Sequence, residues 1–365
     1  MSEHKPASSR VPLLLLVLSY VAFVSLGLPD AVLGMAWPAV RAAFELPQAA
    51  LGTPLAAGAL TYFVSGMFAG RLLQRLGVGN LLAVSTLLVV VGVSGYALST
   101  SFSVFVAAAC LVGFGSGAID SGLNTYAAER LAPRHMSWLH AAYSLGAAQG
   151  AAILTLVVAL GHTFRSGYLL IAAGQLALGV AFVLARDRWD AANRTQASSP
   201  GTPSEQRTAA SSAWAAARDG RVLLQAAIFF VYSGVEVGAG QWSYTLLVQS
   251  RALGANTAGA WVTTYWALLL LGRIASGFVV ERLGIPRLLR AATLLAAVGA
   301  ALFASSGLPV VVTCLGLGLI GLSLAPIYPG LMSATPERVG AARAAHAVGF
   351  QVSAAVMGVA LLPAA

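Results

Sequence analysis

Charge is scarce in this sequence. Of 365 residues only 9% are Asp, Glu, Lys or Arg, against about a quarter in an ordinary soluble protein, while 58% are hydrophobic and the mean hydropathy is +0.81. A soluble globular enzyme is thereby excluded. Lysine is all but absent: Lys5 stands alone, and the formal charge of +9 rests on arginine set against 12 acids. Cysteine is equally sparse, and Cys110 and Cys314 lie inside apolar runs without paired spacing, which indicates neither a disulfide framework nor a metal site. No P-loop lysine pattern and no His-Glu-x-x-His occurs, leaving ATP-driven transport and zinc proteolysis without support. Gly316 to Gly321 spells Gly-x-Gly-x-x-Gly, but inside an apolar run with no strand before it, where close helix packing explains it better than a dinucleotide. No span holds a nucleophile beside a base. The chain is expected to need no cofactor and not to be an enzyme.

What is present is apolar sequence in long, unbroken runs. A bilayer core about 30 Å thick takes roughly 20 residues per helix, and the runs predict spans at 11–36, 48–70, 80–99, 102–128, 137–161, 166–185, 222–249, 255–280, 286–306, 309–333 and 345–365. That is an all-α membrane protein with about eleven transmembrane helices. The first run is too long for a secretory signal, carries Asp30 and lacks a small-residue cleavage site, so it reads as a retained helix. Basic residues collect in cytoplasmic loops. With the N-terminus inside, 17 of the 21 fall on the cytoplasmic side, only Arg41, Arg165 and Arg251 fall outside, and Arg273 lies within a span. The basicity is therefore a topology signal of a multi-pass protein of the cell (inner) membrane, not the continuous basic face that nucleic-acid binding needs.

The stretch 186–221, rich in Ser, Ala, Thr, Pro and Arg, reads as a cytoplasmic linker between an N-terminal bundle, 1–185, and a C-terminal one, 222–365. The two are copies. Gly70 to Gly92 matches Gly277 to Gly299 at a shift of 207, and the same shift carries Phe23, Val24 and Gly27 onto Phe230, Val231 and Gly234. Near that shift Glu129-Arg130 meets Glu337-Arg338 and His140 meets His346. Moved by 207, the sixth span predicts a twelfth at about 373–392, so the chain reads as one helix short, with five spans in its C-terminal bundle.

Two six-helix repeats joined by a cytoplasmic connector resemble the major facilitator superfamily. Its signature after the second span, approximately G-x-x-x-D-R-x-G-R-[KR], is similar to Gly70, Arg75 and Gly77, with a second copy at Gly277, Glu281, Arg282 and Gly284. Gln74 replaces the acid of the first copy, and Val78 and Gly79 its basic pair. The resemblance implies a cytoplasmic gate at these residues; alternatively both copies are only tight, glycine-lined turns.

Ionisable residues within spans cost roughly 2.5 to 3.5 kcal/mol each on insertion scales and are functional candidates by default. Asp30, Asp120 and Glu236 qualify, with Arg273 as the buried cation, and they fall in the first, fourth and seventh spans. In a facilitator fold those helices line the central cavity. A carboxylate in a low-dielectric cavity has its charged form disfavoured, which suits it to load and release protons. The blander alternative is a structural pair of one acid with Arg273, or an Arg273 that snorkels toward the gate near Glu281.

Around the acids the resemblance narrows to the fucose:proton symporter group, which includes bacterial glucose permeases. Gly113 to Asn124 is similar to that group's acid-x-x-x-Asn pattern, placing Asp120 and Asn124 on one helix face. Gly27-Leu28-Pro29-Asp30 with the later Pro38, and Leu139 to Ala147 with His140 and Tyr143, resemble further stretches. Tyr232, Glu236, Gln241 and Trp242 look like a sugar-facing helix. The resemblance implies a secondary active transporter of a small polar solute, a sugar or polyol, moved in symport with protons by alternating access and acting as a monomer in the bilayer. Asp30, Asp120 and Glu236 would couple protons, and Asn124, His140, Tyr143, Tyr232, Gln241 and Trp242 would meet substrate. A proton-coupled exporter of drugs or metabolites and an incomplete, non-transporting membrane protein are the competing readings. Helix packing competes with ligand contact for His140 and Tyr143.

Overall fold

The computed structural model describes residues 11–197 and 213–362, without the side chains of a few helical residues, Asp30 and Gln241 among them. Of the expected linker, 186–221, residues 198–212 lie outside the described residues, while 186–197 continue the helix that begins at Phe164. The helices are α1 (Leu13–Ala43), α2 (Gly52–Leu98), α3 (Phe102–Arg130), α4 (Pro133–Ala159), α5 (Phe164–Ala197), α6 (Ala213–Ala217), α7 (Gly220–Thr245), α8 (Ala255–Leu283), α9 (Ile285–Ala304), α10 (Val310–Leu324), α11 (Ile327–Ser333), α12 (Thr335–Val339) and α13 (Ala341–Leu361). No strand occurs among the described residues. Ten helical stretches are long and apolar enough to cross a membrane, and the longest, Ala49–Leu98, holds two of the expected spans.

Those two spans part at Gly77, where φ is 74° and ψ 170°. Gly284, 207 residues on, has φ 73° and ψ 156° between α8 and α9. A side chain would strain either turn, since this positive-φ region is open mainly to glycine. The repeat is thus written in the backbone as well as in the sequence. It recurs in the packing: Gly146 lies against the Val24 carbonyl where α4 meets α1, and Gly358 against the Phe230 carbonyl where α13 meets α7. Helices in lipid gain little from apolar burial and pack through such close backbone contacts.

Two of the three arginines outside the basic loops have a local purpose. Arg165 donates to the carbonyls of Ala97 and Ser99 beyond the end of α2, and Arg251 to those of Ser305 and Ser306 beyond α9. Each places a cation where a helix ends with unpaired carbonyls and a negative dipole pole. On the opposite, arginine-rich face, Asp219 caps α7 by accepting from the Arg221 backbone N–H and pairs with Arg343. The backbone donor first, and Arg343 beside it, hold the Asp219 carboxyl below the usual carboxylate range.

The helices before the linker and those after it meet along two seams. On one, α2 faces α13: a Cβ on Gly349 would stand 2.2 Å from the Gly66 carbonyl oxygen, one on Gly70 would stand 2.1 Å from Nδ1 of His346, and Ser353 donates to the Phe63 carbonyl. On the other, α4 faces α8: a Cβ on Gly277 would stand 2.2 Å from Nε1 of Trp138, whose indole donates to the Ile274 carbonyl. Gly70 and Gly277 therefore each receive a ring from across the seam. The hydrogen bonds and ion pairs that join the two groups of helices, among the described residues, lie between mid-membrane and the arginine-rich face.

Arg134 and Glu281 close the second seam with an ion pair of 3.0 Å, each side chain more than 40% exposed. Such exposed pairs contribute about 0–1 kcal/mol, whereas a Cβ forced into backbone costs more. Gly349→Val should consequently part α2 from α13, and spin labels at positions 75 and 342 should report a distance distribution moved outward by several ångströms. Glu281→Ala should leave that distribution nearly in place. An unchanged distribution in Gly349→Val would show that the glycine contact does not hold the seam.

Candidate functional site

Asp120 sits ten residues before the end of α3, and Arg273 ten before the end of α8. At 1.5 Å per residue both lie about 15 Å in from the same face. Around each is a polar cluster in otherwise apolar surroundings.

In the first cluster the Asp120 carboxylate accepts from the Tyr62 hydroxyl on α2 and from the Asn124 amide one turn along α3, both at 2.8 Å. The spacing of four residues does bring Asp120 and Asn124 to one face, but the amide is spent on the acid. Oδ1 of Asn124 is buried and has no partner.

In the second, both oxygens of Glu236 lie 3.1 Å from Nη2 of Arg273. The pair is about nine-tenths buried. Tyr232, one turn before Glu236 on α7, presents its hydroxyl to the same carboxylate and to the Leu324 carbonyl. That carbonyl stands at the last residue of α10, where the helical ladder ends and the carbonyls are left for other donors. Tyr265 on α8 donates to the Glu236 backbone carbonyl. The Tyr232 hydroxyl has one proton and two acceptors within reach. An ionised Glu236 competes with Leu324 for it, while a protonated Glu236 can itself donate and leave the tyrosine to Leu324.

Arg273 also ties the clusters together, because Nη1 donates to Ser144 Oγ on α4. One turn from Ser144, His140 is buried between Phe23 of α1 and Tyr328 of α11, with ring centroids 5.3 and 4.7 Å away. Tyr328 stands within electrostatic reach of Asp120, Glu236 and Arg273. Tyr143 is half-buried against the core and within reach of Tyr62.

Asp120, Asn124, His140, Tyr143, Tyr232, Glu236 and Arg273 thus gather at mid-membrane. Arg273 pairs with Glu236 there and does not snorkel to Glu281; the gate partner of Glu281 is Arg134. Arg75 and Arg282 are exposed and make no ion pair among the described residues. Arg75 shares a cleft of about 360 Å³ with Arg71, Phe68, Leu72 and Phe114. Gly77 and Gly284 are turn glycines, and Gly70 and Gly277 are the contact glycines. His346 set on Gly70 has its counterpart across the pseudo-symmetry in Trp138 set on Gly277. Trp242 lies six residues, about 9 Å, along α7 from Glu236, and at 57% exposed it stands outside the cluster. Asp30 lies within α1 and Gln241 within α7, but both side chains are outside the described ones. Tyr62, Ser144 and Tyr328 were not candidates from the sequence, where nothing but their place in a polar helix face could have marked them.

The family model of the Major Facilitator Superfamily matches residues 19–363, and the chain belongs to that family of membrane transporters. Among solved structures it is similar to the transporter FucP in the outward conformation, at 16% identity and a TM-score of 0.75 over 95% of this chain and 89% of that one. It is also similar to the proton:xylose symporter XylE, at 16% identity and a TM-score of 0.74 over 98% and 88%. At these identities the likeness shows the fold. Bypass of stop codon protein 6 of Saccharomyces cerevisiae is 21% identical over 72% of this chain, which spans 56% of that protein's length.

Removing one partner of a buried ion pair leaves the other charge uncompensated and typically costs about 3–5 kcal/mol, while removing both is far milder. Glu236→Gln/Arg273→Gln should therefore melt closer to the wild type than Arg273→Gln alone when unfolding is followed in detergent. Additive losses in the double variant would mean that the two groups do not act as a pair.

Proposed function

We propose that the chain is a secondary active transporter that carries a small polar solute, a sugar or polyol, in symport with protons, by alternating access between two repeats of one ancestral bundle. It acts as a monomer in the cell membrane with its N-terminus in the cytoplasm. The observation that carries this reading is the pair of acid clusters at one depth, Asp120 with Tyr62 and Asn124 on one side and Glu236 with Tyr232 and Arg273 on the other, joined across the seam by Ser144 and Tyr328. Ionisable groups within a bilayer are costly even when paired with one another, and mark substrate or ion pathways by default. The resemblance of Asp120 and Asn124 to the fucose:proton symporter pattern supports a polyhydroxylated one. The structurally similar FucP, a fucose:proton symporter, and XylE, a proton:xylose symporter, support the same reading.

The seams support alternating access. With the arginine-rich face in the cytoplasm, the close contacts Gly66–Gly349, Gly70–His346 and Gly277–Trp138 lie on the inner side and hold it shut. Opening inward must part the same close contacts. Small residues there let the two groups of helices meet by shape without a charge network that would be costly to break.

Asp120→Asn should keep expression and folding and abolish proton-coupled uptake of sugars into proteoliposomes. Full coupled uptake in that variant would remove Asp120 from the coupling. Alkalinisation outside wild-type vesicles on adding substrate is the expected sign of symport; acidification would instead mean export by antiport.

A further inference from the structure

Buried polar atoms in proteins are paired almost without exception, so those left over at a binding site describe its ligand. Three are left over between the clusters: Nε of Arg273, Nε2 of His140 and Oδ1 of Asn124. The Arg273 charge is near enough to be felt at the neutral His140 ring, and Ser144, one turn from His140, already touches the guanidinium. Two of the three leftovers are therefore nitrogen atoms beside a permanent cation, and the third is an acceptor beside Asp120. A ligand that satisfies them has an anionic acceptor group at one end and hydroxyl groups at the other.

Resting on the symport reading above, we propose that the cargo is a polyhydroxylated carboxylate, an aldonate or uronate, whose carboxylate takes the place of Glu236 at Arg273. Arginine presents a planar fork of donors that fits a carboxylate in bidentate fashion, and Nε–H is the part of that fork not yet engaged. The Nε2–H tautomer of His140 supplies a further donor from α4. Hydroxyls at the far end of the cargo donate to Oδ1 of Asn124 and to the Asp120 carboxylate.

Charge balance then couples proton and cargo. With the site empty, Glu236 and Arg273 neutralise each other. A proton added to Glu236 alone leaves a bare guanidinium in the membrane, and an anion added alone leaves two carboxylates on one cation; either is costly. Added together, the proton sits on Glu236, the cargo's carboxylate sits on Arg273, and the site is neutral again. A neutral sugar cannot make this exchange, since it brings no charge to replace the one that the proton removes. The groups facing Glu236 fit the exchange: Tyr232 on its own helix, Arg273 and Tyr265 on α8, and Tyr328 on α11, with His140 and Asp120 across the seam.

Isothermal titration of the purified transporter with D-gluconate, D-glucuronate, D-glucose and D-glucitol in buffers of different ionisation heat reads both affinity and proton uptake. At least one acid should bind about tenfold or more tightly than its neutral counterpart, as expected for a charge-assisted contact, with one proton taken up per anion. Glu236→Gln should bind that acid without taking up a proton and with an affinity flat in pH. Glu236→Gln/Arg273→Gln, in which no lone charge is left to threaten folding, should bind it about tenfold or more weakly than Glu236→Gln. Equal or tighter binding of glucose or glucitol would overturn the carboxylate inference and leave sugar symport standing. Binding of none of the four would overturn both, and undiminished proton uptake in Glu236→Gln would overturn the exchange at Arg273.

Discussion

A guanidinium in the hydrocarbon of a membrane needs a counter-charge, and in this chain one ion pair meets that need at mid-membrane. Arg273 lies about 15 Å from the nearest helix end, too deep for its side chain to snorkel to that face, and it holds Glu236 with Nη2 and Ser144 with Nη1. The first contact stays within the C-terminal helices; the second crosses to the N-terminal ones. The cation therefore bears on the geometry of both groups at once. Whatever changes the charge of Glu236 changes the hold on Arg273, and with it a link across the seam. Tyr232 extends the same dependence to the break between α10 and α11, because its single proton is shared between Glu236 and the Leu324 carbonyl.

The seams themselves are nearly free of charge. Glycine backbones at Gly66 and Gly349, and rings set on Gly70 and Gly277, bring the helices together at distances no larger residue allows. Dispersion at such contacts is large in sum and vanishes quickly with separation, so the closed seam is held firmly and released over a short travel. Among the described residues the ion pair that crosses the seam on that face, Arg134 with Glu281, is exposed and weak. Shape holds the gate, and charge is concentrated at the site. So divided, the charge of the mid-membrane site can change without first breaking a salt-bridge network at the seam.

Much of this architecture was legible in the residues. Apolar runs separated the spans, and the shift of 207 paired Gly77 with Gly284 and Gly70 with Gly277 before any coordinates placed each pair in equivalent positions. Backbone requirements of this kind repeat faithfully because only glycine meets them. The partners were not legible. Arg134 and Trp138 sit at the start of α4 and looked like any basic and interfacial residues; their roles depend on which helix faces them. Tyr62 and Tyr328 carry no pattern of their own in sequences where tyrosine is common near membranes. Arg273 was read toward the gate because the span was ended at 280, whereas α8 runs to Leu283 and leaves the arginine deep. Trp242 looked like part of a sugar-facing face, yet six residues along a helix separate it from Glu236 by more than a side chain can bridge.

His140 has the packing contacts of one of the readings that the sequence left open, and the other is compatible with them. Its ring packs edge-on to Phe23 and Tyr328 and closes the core between α1, α4 and α11, which is the packing role. One nitrogen of that ring remains without a partner beside a cation, which packing does not require and which an isosteric apolar ring would avoid. A buried group held rigidly by its faces and left unpaired at its edge is preorganised: no side-chain freedom is lost when a ligand arrives, and the desolvation was met when the protein folded. Arg273, fixed by Glu236 and Ser144 with its Nε–H unused, is held in the same manner. Rigidity from packing with an unfilled valence for hydrogen bonding is what the proposed cargo contact would draw on at this depth in the membrane.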